Sequence, residues 1–391
     1  MEEVVIVGAA RTPMGKFLGS LSTIPATGLG AAAIRAALDR AGIDPTEVEE
    51  VVMGHVLTAG AGMAPARQAA IAAGVPDRAS ALTVNKVCAS GLAAVVVGAQ
   101  EIAVGAAGLV VAGGMENMSQ APHLLKGSRT GLRLGPGELV DAAVHDGLWC
   151  AWENHHMGKS AEEIARKYGL TREEQDALAL ASHRKAVAAV EAGSFRPEIV
   201  PVEVQQKAGM TLVETDEGPR RDTSPEVLAR LSPSFEVGGT VTAGNSPGLA
   251  DGAAALLLTS ARQARDRGWP ERARITGYVS ANLEPRWLFD APAEAVRRLL
   301  ERTGQRLADV DLVEINEAFA ATVLAADRVL KWDWDRVNVK GGALALGHPI
   351  GCSGARILVT LIHALEERDL HRGIAVLCHG GGGAVAMSVE R

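Results

Sequence analysis

Val84-Asn-Lys-Val-Cys-Ala-Ser-Gly91 and Gly351-Cys-Ser-Gly354 are the two stretches on which the fold turns. In the first, the apolar, partly β-branched run 82–87 breaks at Cys88 and passes into residues 92–104, whose small apolar side chains recur at helical spacing. The second also leads an Ala/Val/Leu helix, residues 351–368. Each helix is followed by a short apolar strand (109–112 and 374–378) and then by a glycine run. Residues 37–54 likewise match 300–314 in pattern. Two copies of one αβ layer unit account for these recurrences, and duplication would place both helix N-termini around one cleft.

Working outward, residues 4–8, 50–54 and 109–112 read as buried strands, and 28–41 and 65–73 as helices. Strands separated by helices at this spacing predict a parallel sheet covered on both faces. Residues 120–247 are more polar, with Pro and Gly in loops and a capping box, Thr171-Arg-Glu-Glu174, opening a helix to Ala192. They read as an insertion. Residues 253–259 return to a buried strand, and from Arg274 the opening pattern recurs with strands 275–280 and 310–315 around a helix over 291–303. The expected division is 1–119 with 248–270, the insertion 120–247, and the second copy 271–391.

Hydrophobic residues make up 47% of the 391 positions and aromatics only 3%, so Ala, Val, Leu and Gly must fill the core. A net charge of −7 argues against a nucleic-acid partner, which needs a basic face. No apolar stretch reaches the ~20 residues that span a bilayer. Met-Glu-Glu followed directly by a strand is not a secretory leader, and the final Val-Glu-Arg is no peroxisomal address. Cys88, Cys150, Cys352 and Cys378 lack C-x-x-C spacing and disulfide density. The expectation is a soluble, reducing, cytoplasmic setting. Arg11-Thr-Pro-Met-Gly-Lys16 tempts a phosphate-loop reading, but the loop would need glycine at Ala10 and Ser or Thr at Phe17.

Four residues carry candidate chemistry, each with a plainer alternative. Amides and the helix dipole at the Cys88 junction would favour a thiolate, making it a nucleophile; as an ordinary free cysteine it would be packing. Asn316-Glu-Ala-Phe-Ala320 follows a strand directly, where ligand sites of α/β sheets collect, although an asparagine opening a helix is also a common N-cap. In Gly341-Gly-Ala-Leu-Ala-Leu-Gly-His-Pro-Ile-Gly-Cys-Ser-Gly354, glycines hold His348 outside any regular element on what reads as exposed backbone, which is hard to reconcile with the plainer reading of a satisfied core histidine. Cys378 ends a strand before His379 and a glycine run, which suits a proton carrier beside an oxyanion pocket or a buried thiol. A metal site would need closely spaced ligands, and only His155–His156 offer any. Acyl transfer is the alternative: a thiolate takes the acyl group, an imidazole activates it and a thiol moves a proton.

With these motifs assembled, and with Gly113-Gly-Met-Glu-Asn-Met-Ser119 and Cys378-x-Gly-Gly-Gly382, the chain resembles the thiolase family along essentially its whole length, and within it the acetyl-CoA C-acetyltransferases. The resemblance implies a five-layered α-β-α-β-α thiolase fold of two similar halves with an inserted loop domain, usually assembled as a homotetramer. It implies Cys88 as the acetylated nucleophile, His348 as its base, and Cys378 as the acid/base at the methyl carbon of the second acetyl-CoA. Asn316, acting through a water, and His348 would form one oxyanion hole, the amides of Cys88 and Gly380 the other. For coenzyme A it implies Arg220 at the nucleotide end, His156, Met157 and Leu148 around the pantetheine and acyl pocket, and contacts from Ala243, Ser246, Ala318 and Phe319. The implied reaction is reversible condensation of two acetyl-CoA to acetoacetyl-CoA, with no metal or other cofactor.

The chain departs from the family pattern at several positions. Pro247 stands where a serine usually bonds the pantetheine, so either Ser246 substitutes or affinity for coenzyme A falls. His379 replaces a usually apolar residue, Ala93 a frequent lysine, and Lys340 a common asparagine. Met157 is implied to close the tunnel against long acyl chains, in keeping with acetyl or acetoacetyl units; Arg220 and Arg221 are otherwise a solvated pair, and Met157 otherwise core. Competing functions are thiolysis of longer or carboxylated 3-ketoacyl-CoA, a decarboxylating condensation (which would want histidine in place of Cys378), and a catalytically silent lipid- or CoA-binding relative, which would lack this intact residue set.

Overall fold

β-Branched and small apolar residues alternate along the strands so that each strand feeds two cores at once. In the computed structural model, which describes residues 2–206 and 209–391, the first copy runs β1 (Val4–Arg11), α1 (Ala26–Ala41), β2 (Glu50–Gly54), α2 (Pro65–Ala72), β3 (Ser80–Val84), α3 (Ser90–Ala103) and β4 (Leu109–Asn117). The insertion contributes α4 (Met157–Tyr168) and α5 (Arg172–Ala192), the latter opened by the expected capping box at Thr171. The chain then returns through β5 (Ala250–Ser260), β6 (Ala273–Asn282), α6 (Ala291–Thr303), β7 (Leu312–Ile315), α7 (Ala320–Leu330), α8 (Ser353–Glu367), β8 (Arg372–His379) and β9 (Gly383–Glu390).

The strands form one path, β7-β8-β9-β6-β1-β5-β4-β2-β3. From the β1–β6 pair outward the two sides repeat each other. β1–β5 and β5–β4 are antiparallel, and β4–β2 and β2–β3 parallel. On the other side β6–β9 and β9–β8 are antiparallel and β8–β7 parallel, with a parallel bridge from Val313 to Val337 in the place of β3. The copies join at Val5↔Arg274 and Ile6↔Ala273. The sheet is thus mixed, not the parallel one that helix–strand alternation suggested, because hairpin partners such as β9 and the post-insertion strand β5 enter antiparallel.

Val110 and Ala112 of β4, and Ala375 and Leu377 of β8, face a shared core that also holds Leu92 and Val95 of α3 and Leu358 and Leu361 of α8. Their alternates, Leu109 and Val111, pack under α1 and α2, while Ile374 and Val376 pack under α6 and α7. The result is five layers, α-β-α-β-α, with α3 and α8 as the central one. These two helices meet backbone to backbone at their first turns: a Cβ on Gly91 would lie 2.8 Å from the Ala355 nitrogen, and one on Gly354 would strike the Leu92 nitrogen. The Ser-Gly shared by both copies is there for that crossing. Among the described residues no helix is long and apolar enough to cross a membrane.

Candidate active site

β3 ends at Val84, three residues earlier than the apolar run suggests, and the chain turns before α3 begins. Val87 takes φ +48°, a left-handed conformation that a β-branched residue adopts only under strain of about 1–3 kcal/mol. Its neighbours hold it there. Asn85 Oδ1 accepts from the Val87 amide (3.0 Å), and the Ser90 hydroxyl donates to Val87 O (2.6 Å) while accepting from the Lys86 amide (2.8 Å). The turn presents Cys88 to a cavity of about 210 Å³.

Burial pushes the Cys88 thiol up to about 12, although its own amide and that of Gly380 are aimed at the sulfur and pull the other way. The direction is opposite to the thiolate expected from the helix terminus: desolvation of the sulfur exceeds the pull of the two amides. Cys378, at the end of β8 and 2% exposed, is raised well above the usual thiol range by burial and by its neighbour Cys88. Beside it His379 donates from Nδ1 to Gly380 O (2.8 Å), fixing the glycine turn, while its Nε2 is buried without a partner. Burial lowers its pKa.

His348 lies between the short helix Ala343–Leu346 and α8, outside regular structure as expected, but buried, not on exposed backbone. Its Nδ1 is 2.6 Å from Ser353 Oγ, whose own hydrogen goes to Pro349 O (2.9 Å). The hydroxyl therefore accepts, Nδ1 carries the imidazole proton, and Nε2 is left as the basic nitrogen. Burial, with Arg356 adding to it, lowers His348 to about 3. Asn316 Nδ2 sits 3.4 Å from that Nε2, fully buried, and its Oδ1 has no partner. Asn316 does not open a helix: α7 starts at Ala320, and Asn316 occupies a turn in which its carbonyl accepts from the Ala318 amide (2.9 Å).

Two carboxylates given no role by sequence reasoning hold this loop at both ends. Glu317 accepts from Ser182 Oγ (2.7 Å), Asn338 Nδ2 (2.9 Å) and the Leu344 amide (3.0 Å). Glu116 accepts from the amides of Val56 (3.1 Å), Leu57 (3.2 Å) and Gly351 (2.9 Å), with His55 Nε2 at 3.2 Å. The signal was present as an acid inside each otherwise apolar or amide-rich motif, since a buried carboxylate is costly unless every oxygen is bonded.

The cavity is lined by Cys88, His348, Cys378 and Gly380, with Leu148, His156, Met157, Ser246, Ala318 and Phe319; Asn316 stands behind His348 and does not line it. Phe235, Leu288 and Phe289 line it as well and were not anticipated. Ser246, Gly248 and Leu249 are shared with a second cavity of about 320 Å³ that Arg220, Ala243, His183 and Lys16 border. Ser246 Oγ is buried at this neck without a partner, beside Pro247. Arg221 is paired with Glu191, and His183 Nδ1, lowered to about 4 by burial and by Arg220, accepts from the Arg220 amide (3.1 Å). Among the described residues no group of three or more His, Cys, Asp or Glu side chains could hold a metal ion.

Comparison with known proteins follows the same outline. Residues 4–262 match the family profile "Thiolase, N-terminal domain" and 269–391 "Thiolase, C-terminal domain". An acetyl-CoA acetyltransferase of Pseudomonas aeruginosa is 55% identical over 392 residues, and a probable acetyl-CoA acetyltransferase of Escherichia coli 52% over 391, each covering 100% of both chains. The crystal structure of the Bacillus anthracis acetyl-CoA acetyltransferase superposes with a TM-score of 0.98 at 44% identity, covering 100% of this chain and 99% of that one. The structure of the Syntrophomonas wolfei acetyl-CoA acetyltransferase does so with a TM-score of 0.98 at 41% identity, covering 100% of both.

Proposed function

Because the chain belongs to the thiolase family, matched along both of its domains, we propose that it catalyses the reversible condensation of two acetyl-CoA molecules to acetoacetyl-CoA and free coenzyme A. Relatives about half identical over their full length carry the name acetyl-CoA acetyltransferase. One observation carries the chemistry: Cys88 from the first copy and His348 and Cys378 from the second line a single cavity.

The geometry supports a ping-pong sequence. The Cys88 thiol and His348 imidazole start neutral, so His348 Nε2 takes the thiol proton as sulfur attacks the acetyl-CoA carbonyl. Coenzyme A leaves as a thiolate and takes the Cys378 proton. The Cys378 thiolate then removes a proton from the methyl carbon of the second acetyl-CoA. The resulting carbanion attacks acetyl-Cys88, and the expelled Cys88 thiolate recovers its proton from His348. A thioester α-carbon is a weak acid, so its enolate oxygen must meet donors already in place: His348 Nε2–H, with Asn316 acting through a water. The acyl-enzyme carbonyl also turns tetrahedral, and the Cys88 and Gly380 amides, already aimed at the sulfur, suit that oxyanion.

Coenzyme A would enter through the second cavity, with its nucleotide near Arg220, its arm passing Ala243 and the unpartnered Ser246 hydroxyl where Pro247 offers no donor, and Leu148, His156 and Met157 along the inner wall. The reaction asks for no metal or prosthetic group. A homotetramer accords with an unpaired edge strand β3 and with a hairpin, His123–Leu125 and Leu139–Asp141, around which Leu125, Leu132, Leu134 and Leu139 are exposed. Division into 1–119 with 248–270, 120–247 and 271–391 accords with the repeated strand order, and a cytoplasmic setting with four free cysteines.

Trapping with labelled acetyl-CoA and peptide mass mapping tests this reading. The acetyl group should sit on Cys88, persist in Cys378→Ala and be absent from Cys88→Ala. Label on any other residue of the wild type refutes it.

A further inference from the structure

The chain has five phenylalanines, and three of them, Phe235, Phe289 and Phe319, line the cavity that holds Cys88 and Cys378. They form a continuous aromatic wall. His156 stacks on Phe235 (centroids 4.8 Å), Phe235 meets Phe319 edge-on (6.2 Å), and Phe319 meets Phe289 edge-on (5.6 Å). In a protein that fills its core with Ala, Val and Leu, bulk this concentrated has a local task.

Phe289 ends that wall. The neck toward the second cavity is marked by Ser246, Gly248 and Leu249; Phe289 is not part of it. It is 2% exposed and belongs to the same buried cluster as Cys378 and Phe319. With coenzyme A leaving through the neck, the carbons of a 3-ketoacyl chain extend in the first cavity, whose lining includes Phe289, a residue the second cavity does not share with it. Met157, expected from the sequence to close the tunnel, is only half-buried, at the start of α4.

The wall is also prevented from receding. Phe289 lies in the turn Pro285–Asp290, and Asp290 accepts from Tyr168 Oη (2.7 Å) and from Lys167 Nζ, both on α4. Lys167 lies 4.4 Å over the Trp287 ring, and Arg286 pairs with Glu163 at 3.2 Å. The turn is thus tied to the helix that begins with the pocket residue Met157, so Phe289 is held in place and cannot easily recede.

We propose that Phe289 is the end wall of the acyl pocket and limits this enzyme to four-carbon ketoacyl thioesters. The inference rests on the condensing reading above. The test is thiolysis of acetoacetyl-CoA and 3-ketohexanoyl-CoA by wild type, Phe289→Leu and Phe289→Ala, with thermal melts of each. The ratio of kcat/KM for the six-carbon over the four-carbon substrate should rise about tenfold or more in Phe289→Ala, the scale set by one or two methylenes in a closed pocket. A smaller rise, about threefold, is expected in Phe289→Leu, which decides the matter if the alanine variant does not fold. A wild type inactive on acetoacetyl-CoA overturns the proposed function itself. An active wild type with an unchanged ratio in the folded variants overturns only the role of Phe289.

Discussion

Cys88 and His348 differ from a thiolate–imidazolium pair in a way that can be measured. Burial holds one group up at about 12 and the other down at about 3, so across the neutral range both are uncharged. Nucleophilicity then arises only as Nε2 removes the proton during attack, and Ser353, by accepting from Nδ1, keeps that nitrogen available. Alkylation of Cys88 by iodoacetamide in the free enzyme, followed by peptide mass mapping to separate it from Cys378, should keep accelerating from pH 7 through pH 9.5. A rate that levels off near pH 7 would mean a resident thiolate and would sink the neutral pair.

Among the elements, the loop carrying His348 is the one whose placement matters most, and it is tied at two points by acids from different copies. Glu116, at the end of β4, bonds the Gly351 amide; Glu317, just after β7, bonds the Leu344 amide. Glu116→Gln would turn an amide NH2 toward backbone N–H groups that now share two carboxylate oxygens. The expected cost is about 1–3 kcal/mol in stability, read by denaturant unfolding, together with a kcat loss larger than any change in KM because His348 shifts. Unchanged kcat in a destabilised variant would make the clamp a purely structural one. Much of this was legible beforehand. The shared Ser-Gly marked both helix starts because a backbone-to-backbone crossing admits nothing larger than glycine, and Cys88, His348 and Cys378, each open to a packing reading alone, drew their meaning from standing together in one ordered set of motifs. Asn316 was misplaced as the opening of a helix because an asparagine after a strand carries the same local pattern whether the helix starts there or four residues later. Phe289 left no trace, since a single aromatic in Trp-Leu-Phe-Asp has no period and acquires meaning only when the turn is tied against α4.

Taken as a whole, the molecule pays for its dry centre with histidines that must stay neutral. His348 and His363 are each lowered from 6.5 to about 3 and His183 to about 4, burial being the first cause in every case. The unfolded chain binds protons at these sites below pH 6.5 whereas the folded one does not, so stability is fully present above that pH and is lost as pH falls toward 3–4. At pH 5 each fully buried histidine costs on the order of 2 kcal/mol relative to pH 7. Glu314, raised to about 8 by burial, opposes this trend: its folded form keeps a proton that the unfolded form releases above pH 4.5, so it favours the folded state toward acid. The net curve therefore mixes both signs, and a single-site comparison isolates one. His363 is suited to it, because it lies on α8 beside Arg272, Glu366 and Ala9 O, away from the catalytic cavity. His363→Gln should be less stable than wild type at pH 7, and that deficit should shrink by about 2 kcal/mol on going to pH 5, since only the wild type pays to keep this imidazole neutral. Chemical denaturation of both proteins at the two pH values gives the difference directly; a deficit that stays constant would show that His363 is protonated in the folded protein and that burial does not govern it.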